Sequence, residues 1–316
     1  MTDSARKILE KYEVRKTRCQ KSEFISYILD FAKNNGYDAK VEKKGKSIRN
    51  IVVGDPDNAS VIYTAHYDTC PRLPFPNFIT PKNILIYVLY QIVLTAAIIG
   101  VPILVAFGVC MVLEALGVGD NAVSIIKIWI EYLGIIGALY LMIKGPANPH
   151  TANDNTSGVT TLVSIIESLP ENLREKTAFV FFDLEEVGLL GSSAFYAAHK
   201  KNMQDKLLLN FDCVSDGKMI LFAIKKGAVK HVELLKEAFP KTEGFTPDFA
   251  TKGVFYPSDQ AKFPLGVGVA ALKKSKRGIL YMNRIHTVKD TVFDEANIDY
   301  LTDGAIRLSH LMSENR

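Results

Sequence analysis

The stretch Leu184-Glu185-Glu186-Val187-Gly188-Leu189-Leu190-Gly191-Ser192 decides the fold, because it joins an apolar run to a helical pattern. Residues 177–183 are mostly apolar and predict a buried strand, and residues 193–200 predict a helix. Two adjacent carboxylates at the end of a buried strand are costly, since each loses hydration and repels the other. The cost is explained if one carboxylate binds a cation and the other transfers protons beside it. A solvated helix N-terminus, where acids are favoured, is the simpler explanation.

The composition excludes some classes of function. Lysine and arginine total 38 against 34 acids, for a net charge of +4. There is no concentrated basic stripe, so we expect no nucleic-acid partner. Four scattered cysteines without a C-x-x-C pair predict free thiols in a reducing compartment. The charged N-terminus lacks the apolar segment of a secretory signal.

The order of predicted elements indicates the fold class. A helix is expected from about Ser4 to Asn34, and strands are expected over 38–43, 47–53 and 59–65. Strands and helices alternate again after residue 146, which predicts an α/β fold. We expect a single globular domain, 1–80 with 145–316, that contains a central, mostly parallel or mixed sheet flanked by helices. An α-helical hydrophobic hairpin, 81–144, interrupts this domain.

The hairpin is predicted from the length of its apolar runs. No charged residue occurs from Ile84 to Leu113, and the second run, 122–143, carries only Lys127 and Glu131. A bilayer needs about 20 apolar residues, more than a soluble core helix usually has. Both flanks belong to one domain, so we expect two spans and contact with a lipid bilayer over residues 83–143. The alternative is a hairpin that is buried in a homodimer or covers the active site.

The charges beside the hairpin predict its orientation. Arg72, Lys82 and Lys144 flank it on the globular side, whereas the turn at 114–120 is acidic. The positive-inside tendency then predicts a protein of the cell membrane whose globular domain is cytoplasmic.

Five residues distant along the chain are candidate metal ligands, and most lie at a predicted strand end or helix N-terminus: His66, Asp154, Glu186, Asp212 and His286. Open α/β sheets form their sites at this edge. Two imidazoles and three carboxylates suit two divalent ions that share one carboxylate. Zinc is the first choice, and manganese or cobalt would be accepted by the same atoms.

The motifs around these residues occur in a specific order. They are His66-Tyr-Asp68, Asn153-Asp154-Asn155-Thr-Ser-Gly158, Glu185-Glu186-Val-Gly-Leu-Leu-Gly-Ser192, Asn210-Phe-Asp212 and Ile285-His286-Thr-Val-Lys-Asp290-Thr291. Together they resemble the M28 family of zinc aminopeptidases over roughly residues 20–75 and 146–312. M20 peptidases have the same ligand order but a dimerisation domain before the last histidine. The short interval between Asp212 and His286 therefore favours M28.

The resemblance implies a role for each candidate. Asp154 would bridge two zinc ions, and the other four ligands would form one pair at each ion: His66 with Asp212, and Glu186 with His286. Glu185 would be the general base, and Asp68 would orient His66.

The chain also departs from the family pattern. The hydrophobic hairpin lies between Asp68 and Asp154, where relatives have a short stretch. Gln260 replaces the histidine of a Ser-Asp-His-x-x-Phe element. Ile285 occupies the position of a tyrosine that steadies the oxyanion in some relatives. Tyr256 and Tyr281 are candidates for that role, although packing is the simpler explanation for both.

We therefore expect a co-catalytic di-zinc aminopeptidase that hydrolyses N-terminal residues of short peptides at the membrane surface. One alternative is a catalytically silent M28-like membrane module that binds a partner, but the presence of all five ligands argues against it. Another is a glutaminyl cyclase-like enzyme, which uses the same fold with one zinc ion.

Overall fold

A mixed β-sheet forms the centre of the protein, as a computed structural model of residues 2–314 shows. Nine strands occur within these residues, in chain order β1 (Ala39–Lys44), β2 (Ile48–Val53), β3 (Val61–His66), β4 (Thr177–Phe182), β5 (Leu207–Phe211), β6 (Met219–Ile224), β7 (Thr246–Ala250), β8 (Gly266–Lys274) and β9 (Leu280–Tyr281). The order across the sheet is β1-β2-β4-β3-β5-β8-β6-β7, with β9 paired to β8. The predicted α/β fold with one mixed, helix-flanked sheet is confirmed.

The described residues contain nine α-helices: α1 (Asp3–Lys11), α2 (Arg18–Asn34), α3 (Ile84–Ala115), α4 (Asp120–Lys144), α5 (Ser157–Ser168), α6 (Glu171–Arg174), α7 (Leu190–His199), α8 (Val232–Ala238) and α9 (Glu295–Glu314). The larger apolar core packs α1, α2, α5, α8 and α9 against one face, around Phe24, Tyr63 and Phe179. A smaller core packs α7 against the other face through Phe182 and Phe195.

The prediction of one continuous helix from Ser4 to Asn34 is wrong, because the chain breaks between α1 and α2. Thr17 caps α2: its hydroxyl accepts from the main-chain N–H of Gln20, and the Gln20 side chain accepts from the N–H of Thr17. This reciprocal pair satisfies donors that a helix start leaves open. The break contains Arg15, whose side chain is fully buried.

The central strands place their carboxyl ends side by side. Strand β3 pairs in parallel with β4 on one side and with β5 on the other. His66 is the last residue of β3, Glu185 follows β4, and Asp212 follows β5. The polar residues predicted at strand ends therefore share one edge of the sheet.

Residues 84–146 form a separate compact unit made of α3 and α4. At 1.5 Å per residue the two helices are about 48 and 38 Å long. Both are long and apolar enough to cross a membrane. They pack closely where Gly134 faces Pro102, since a Cβ atom on Gly134 would lie 2.7 Å from the Pro102 ring. Large apolar side chains such as Leu104 and Trp129 are exposed along the unit.

Candidate metal centre

The predicted ligands converge on the carboxyl ends of β3, β4 and β5. His66 ends β3, Asp212 directly follows β5, and Glu186 lies on the turn between β4 and α7. Asp154 lies just before α5, and His286 lies in the segment between β9 and α9. The structure thus brings together all five residues, although Asp154 and His286 come from segments that do not directly follow β3, β4 or β5.

Asp154 occupies the middle of the cluster. Its Oδ1 lies 3.3 Å from Nε2 of His66, and its Oδ2 lies 3.2 Å from Nε2 of His286. On the first side, Nε2 of His66 is also 3.5 Å from Oδ1 of Asp212. On the other side, Nε2 of His286 is 3.3 Å from Oε2 of Glu186. Each oxygen of one carboxylate thus faces a different imidazole, and each imidazole has a second acid beside it.

The donor atoms fit divalent ions. His66, Asp154 and Asp212 offer three ligand atoms within 4.8 Å of one another, and so do Cys70, Glu186 and His286. The Oε1 atom of Glu186 is buried without a hydrogen-bond partner. An unpaired buried carboxylate oxygen is costly, and a bound cation would remove that cost. Imidazole nitrogen with carboxylate oxygen is a donor set that zinc accepts.

The charges in the cluster perturb its titration. Burial lowers the pKa of His286, but Glu186 and Asp154 outweigh it and raise that pKa to about 9. Burial raises the pKa of Glu186 to about 8, against the effect of His286. Burial also raises the pKa of Glu185 well above its ordinary value, and Asp212 adds to that rise. The Glu185 carboxylate therefore binds a proton more tightly than an ordinary glutamate does.

Asp68 has a different set of contacts from the one expected. Its two carboxylate oxygens accept hydrogen bonds from the main-chain N–H groups of Glu185 and Glu186, at 2.9 and 3.3 Å. Nδ1 of His66 lies 3.0 Å from the main-chain oxygen of Asp68 and 3.7 Å from the carboxylate. The Asp68 backbone therefore holds the imidazole, while its side chain holds the turn that carries the two glutamates.

Asp290 holds the loop of Asp154. Its oxygens accept hydrogen bonds from the main-chain N–H groups of Asn153 and Asp154, each at 3.0 Å. The side chain of Asn155 donates to the main-chain oxygen of Phe211, at the end of β5. The sequence pointed to Asp290 only as part of a motif, and no spacing rule could have shown that its carboxylate clamps this loop.

Local backbone geometry is unusual beside the site. Four non-glycine residues of the described chain have a positive φ, and three of them are Leu184 (56°), Cys213 (57°) and His286 (65°). The left-handed region is unfavourable for residues with a Cβ atom, and such residues cluster at functional sites. Leu184 directly precedes the glutamate pair, and Cys213 directly follows Asp212.

The two tyrosines considered for the oxyanion have other contacts. Tyr256 is buried and donates its hydroxyl proton to the main-chain oxygen of Asp212, at 2.9 Å. Tyr281 packs against Phe78, with the ring centroids 6.1 Å apart. Gln260 donates to the main-chain oxygen of Tyr256 and accepts from Asn210. Gln260 thus connects β5 to the loop that supports Asp212.

Comparison with known proteins agrees with this arrangement. The profile described as Peptidase family M28 matches residues 139–308, more than half of the chain. No match is found among curated proteins. The profile's range includes Asp154, Glu185, Glu186, Asp212 and His286.

Several solved structures are similar in fold. A glutaminyl cyclase from Porphyromonas gingivalis is 14% identical, with a TM-score of 0.60, over 99% of this chain and 98% of that one. The LapA aminopeptidase of Legionella pneumophila is 12% identical, with a TM-score of 0.56, over 99% of this chain and 69% of that one. A leucine aminopeptidase precursor from Bacteroides thetaiotaomicron is 14% identical, with a TM-score of 0.55, over 97% and 95%. At these identities the similarity shows the fold.

Proposed function

The chain belongs to peptidase family M28, a family of metallopeptidases, and on that premise we propose that it is a two-zinc aminopeptidase of short peptides. The observation that carries the proposal is the position of Asp154, whose two oxygens each face a different imidazole. A carboxylate so placed is suited to bridge two cations, whereas a single-ion site would use one side of it.

Around such a bridge the candidate ligands would form two sets. His66 and Asp212 would hold one ion with Asp154, and Glu186 and His286 would hold the other. Bound zinc would supply a Lewis acid that polarises the peptide carbonyl and makes water acidic enough to react near neutral pH.

Glu185 is the residue suited to move the proton. Its side chain lies close to His66 and Glu186: one possible metal-binding atom from each of the three residues lies within 4.8 Å of the other two. The raised pKa lets it accept a proton from the attacking water and return it to the departing amine. Asp68 supports this role because it holds the main-chain N–H of Glu185 at 2.9 Å.

The test of this function uses the full chain in detergent with a panel of peptides that carry free or acetylated N-termini. We expect two zinc ions per chain and release of N-terminal residues from the free peptides alone. Glu185→Gln should lower kcat by about 10²- to 10⁴-fold while zinc content is unchanged. Glu171→Gln, an exposed site, is the matched control. Full activity in Glu185→Gln would contradict the assigned role.

Two other results would point elsewhere. A peptide with N-terminal glutamine that cyclises without releasing the residue, at one zinc per chain, would identify a glutaminyl cyclase. This alternative is included because the fold of the chain is similar to that of a glutaminyl cyclase. Two bound zinc ions with no hydrolysis of any peptide would favour a silent module that binds a partner.

We also propose that the hairpin anchors the enzyme in a membrane through two spans, with the catalytic domain in the cytoplasm. The support is the length of α3 and α4 and the exposure of their apolar side chains. Exposed apolar surface of this extent is costly in water. The chain should stay in the membrane fraction after carbonate washing and leave it only with detergent. Release by carbonate alone would contradict membrane insertion, and a dimer formed through the hairpin would then be the alternative.

A further inference from the structure

Cys70 lies beside two of the candidate metal ligands, although the family motifs assign it no role. Its thiol is fully buried four residues beyond His66. Neighbouring chain segments fix its position: the N–H of Asn148 donates to the main-chain oxygen of Cys70 at 3.2 Å, and Pro71 forms a β-bridge with Ala147. Further along the same segment, the N–H of Leu73 donates to the main-chain oxygen of His286 at 2.8 Å. The backbone that carries the thiol is therefore tied to the backbone that carries a candidate ligand.

The sulfur has two candidate ligands as neighbours. Sγ of Cys70, a carboxylate oxygen of Glu186 and a ring nitrogen of His286 all lie within 4.8 Å of one another. The Glu186 side chain is only 7% exposed, and its Oε1 atom has no hydrogen-bond partner. A buried carboxylate oxygen without a partner is costly, and a cation bound at this position would remove that cost. The Cys70 thiol thus lies within a group of side chains, with Glu186 and His286, that is suited to bind a cation.

We propose that Cys70 is a thiolate ligand of the ion held by Glu186 and His286, an inference that rests on the proposed two-zinc function. The two ion positions are then chemically different. The group around His66, Asp154 and Asp212 offers nitrogen and oxygen, whereas the group with Cys70 adds sulfur. Formation of the sulfur–metal bond releases the thiol proton to solvent.

The side chain of Asn148 donates a hydrogen bond to the Cys70 sulfur. Nδ2 of Asn148 lies 3.9 Å from Sγ of Cys70 and also donates to the main-chain oxygen of Thr287, at 2.9 Å. A donor to a ligand sulfur orients it and stabilises its negative charge. Asn148 thereby links the thiolate to the residue that follows His286.

The sulfur ligand has a consequence for metal choice. Thiolate is a soft donor that favours zinc and cobalt over magnesium and manganese. We therefore expect the position with Cys70 to retain zinc against an excess of manganese, and the other position to exchange more readily. Loss of the sulfur should weaken zinc binding at one of the two positions by at least about 10-fold.

The experiment uses the full chain in detergent, stripped of metal and titrated with cobalt(II). Two cobalt ions should bind, and a sulfur-to-cobalt charge-transfer band should appear in the near ultraviolet. The band should be absent in Cys70→Ser and present in Cys213→Ser, which removes another buried thiol beside a candidate ligand. A band that survives in Cys70→Ser, or is lost in Cys213→Ser, would overturn the inference.

X-ray absorption of the wild-type zinc protein tests the same claim without a variant. A zinc–sulfur distance of about 2.3 Å is expected for one of the two ions. If two ions bind, peptides are cleaved and no sulfur is detected, the Cys70 inference fails while the proposed function stands. If neither zinc nor cobalt binds, both fail.

Discussion

The carboxylate of Asp290 holds Asp154 in place through the peptide backbone: the N–H of Asp154 lies 3.0 Å from Oδ2 of Asp290. The other oxygen accepts from the N–H of Asn153, also at 3.0 Å. Burial and the nearby charge of Asp154 raise the pKa of Asp290 to about 7. Both oxygens of the Asp290 carboxylate thus accept hydrogen bonds from the loop that contains Asp154, the residue at the centre of the candidate site.

Asp290→Asn should weaken metal binding without removing a ligand. An amide has only one acceptor oxygen, so one of the two main-chain N–H groups loses its partner. We expect zinc affinity and kcat/KM to fall by about 10- to 100-fold, as for other groups that orient metal ligands. Calorimetric zinc titration of the stripped protein measures this change. Asp303→Asn, at an exposed position of α9, is the control, and equal affinities in the two variants would refute the role.

Arg15→Met should destabilise the protein. The guanidinium donates to the main-chain oxygen of Tyr67 at 2.6 Å and to the hydroxyl of Thr156 at 3.1 Å. It thereby joins the segment of His66 to the loop of Asp154. We expect a loss of about 2–4 kcal/mol in the free energy of unfolding, because buried carbonyls lose a charged donor. Arg15→Lys should recover only part of it, since an ammonium lacks the planar fork of donors.

Thermal unfolding with and without zinc measures this effect. Arg277→Ala, in an exposed turn, should leave the unfolding temperature within experimental error of the wild type. An Arg15→Met protein as stable as the wild type would show that the contacts of Arg15 are dispensable.

His199 should make stability depend on pH. Its Nε2 lies 3.0 Å from Glu42, its Nδ1 lies 2.8 Å from Asp57, and its ring stacks on Phe195. The hydrogen bond to Glu42 raises the pKa of His199, against the effect of burial, and Asp57 adds to the rise. The folded state thus binds the proton more tightly than the unfolded state. The stabilisation is complete below the unfolded pKa, about 6.5, and is lost as pH rises through the higher folded pKa.

His199→Gln should therefore be less stable than the wild type by about 1 kcal/mol near pH 6, and the difference should shrink in alkaline solution. Unfolding curves across this pH range provide the measurement. His310→Gln is the control, since His310 pairs with Glu314 at a position that is 58% exposed. A difference that grows with pH would have the wrong sign and would exclude this explanation.

Cysteine labelling can determine the orientation of the hairpin. Leu116, between α3 and α4, is 74% exposed, and Cys19 is exposed on α2. If the catalytic domain is cytoplasmic, an impermeant maleimide added to intact cells should label Leu116→Cys in a Cys19→Ser background. It should label wild-type Cys19 only after the cells are permeabilised. The reverse pattern would place the catalytic domain outside.

Much of the fold and of the site could be predicted because local patterns carry the information. The apolar run before Asp183 predicted a buried strand, and β4 lies there with all of its residues buried. The alternation of strands and helices predicted the α/β sheet, since sequence period reports which face of an element is buried. The break around Arg15 was not predicted, although apolar residues become sparse between Tyr12 and Phe24 and Thr17-x-x-Gln20 has the pattern of a capping box. What the sequence could not show is that the buried Arg15 side chain fixes the break through contacts with Tyr67 and Thr156.

The sequence by itself determined the residue types of the candidate ligands and predicted that His66, Glu186 and Asp212 lie at or just after strand ends, since residue type and period are local properties. Tertiary structure alone decided how these groups face one another. It placed the two oxygens of Asp154 toward different histidines. It also directed the Asp68 carboxylate to the main-chain N–H of Glu185 and brought Cys70 beside Glu186 and His286. The physical reason is that side-chain direction across a sheet edge depends on how distant segments pack, which residue spacing along the chain does not specify.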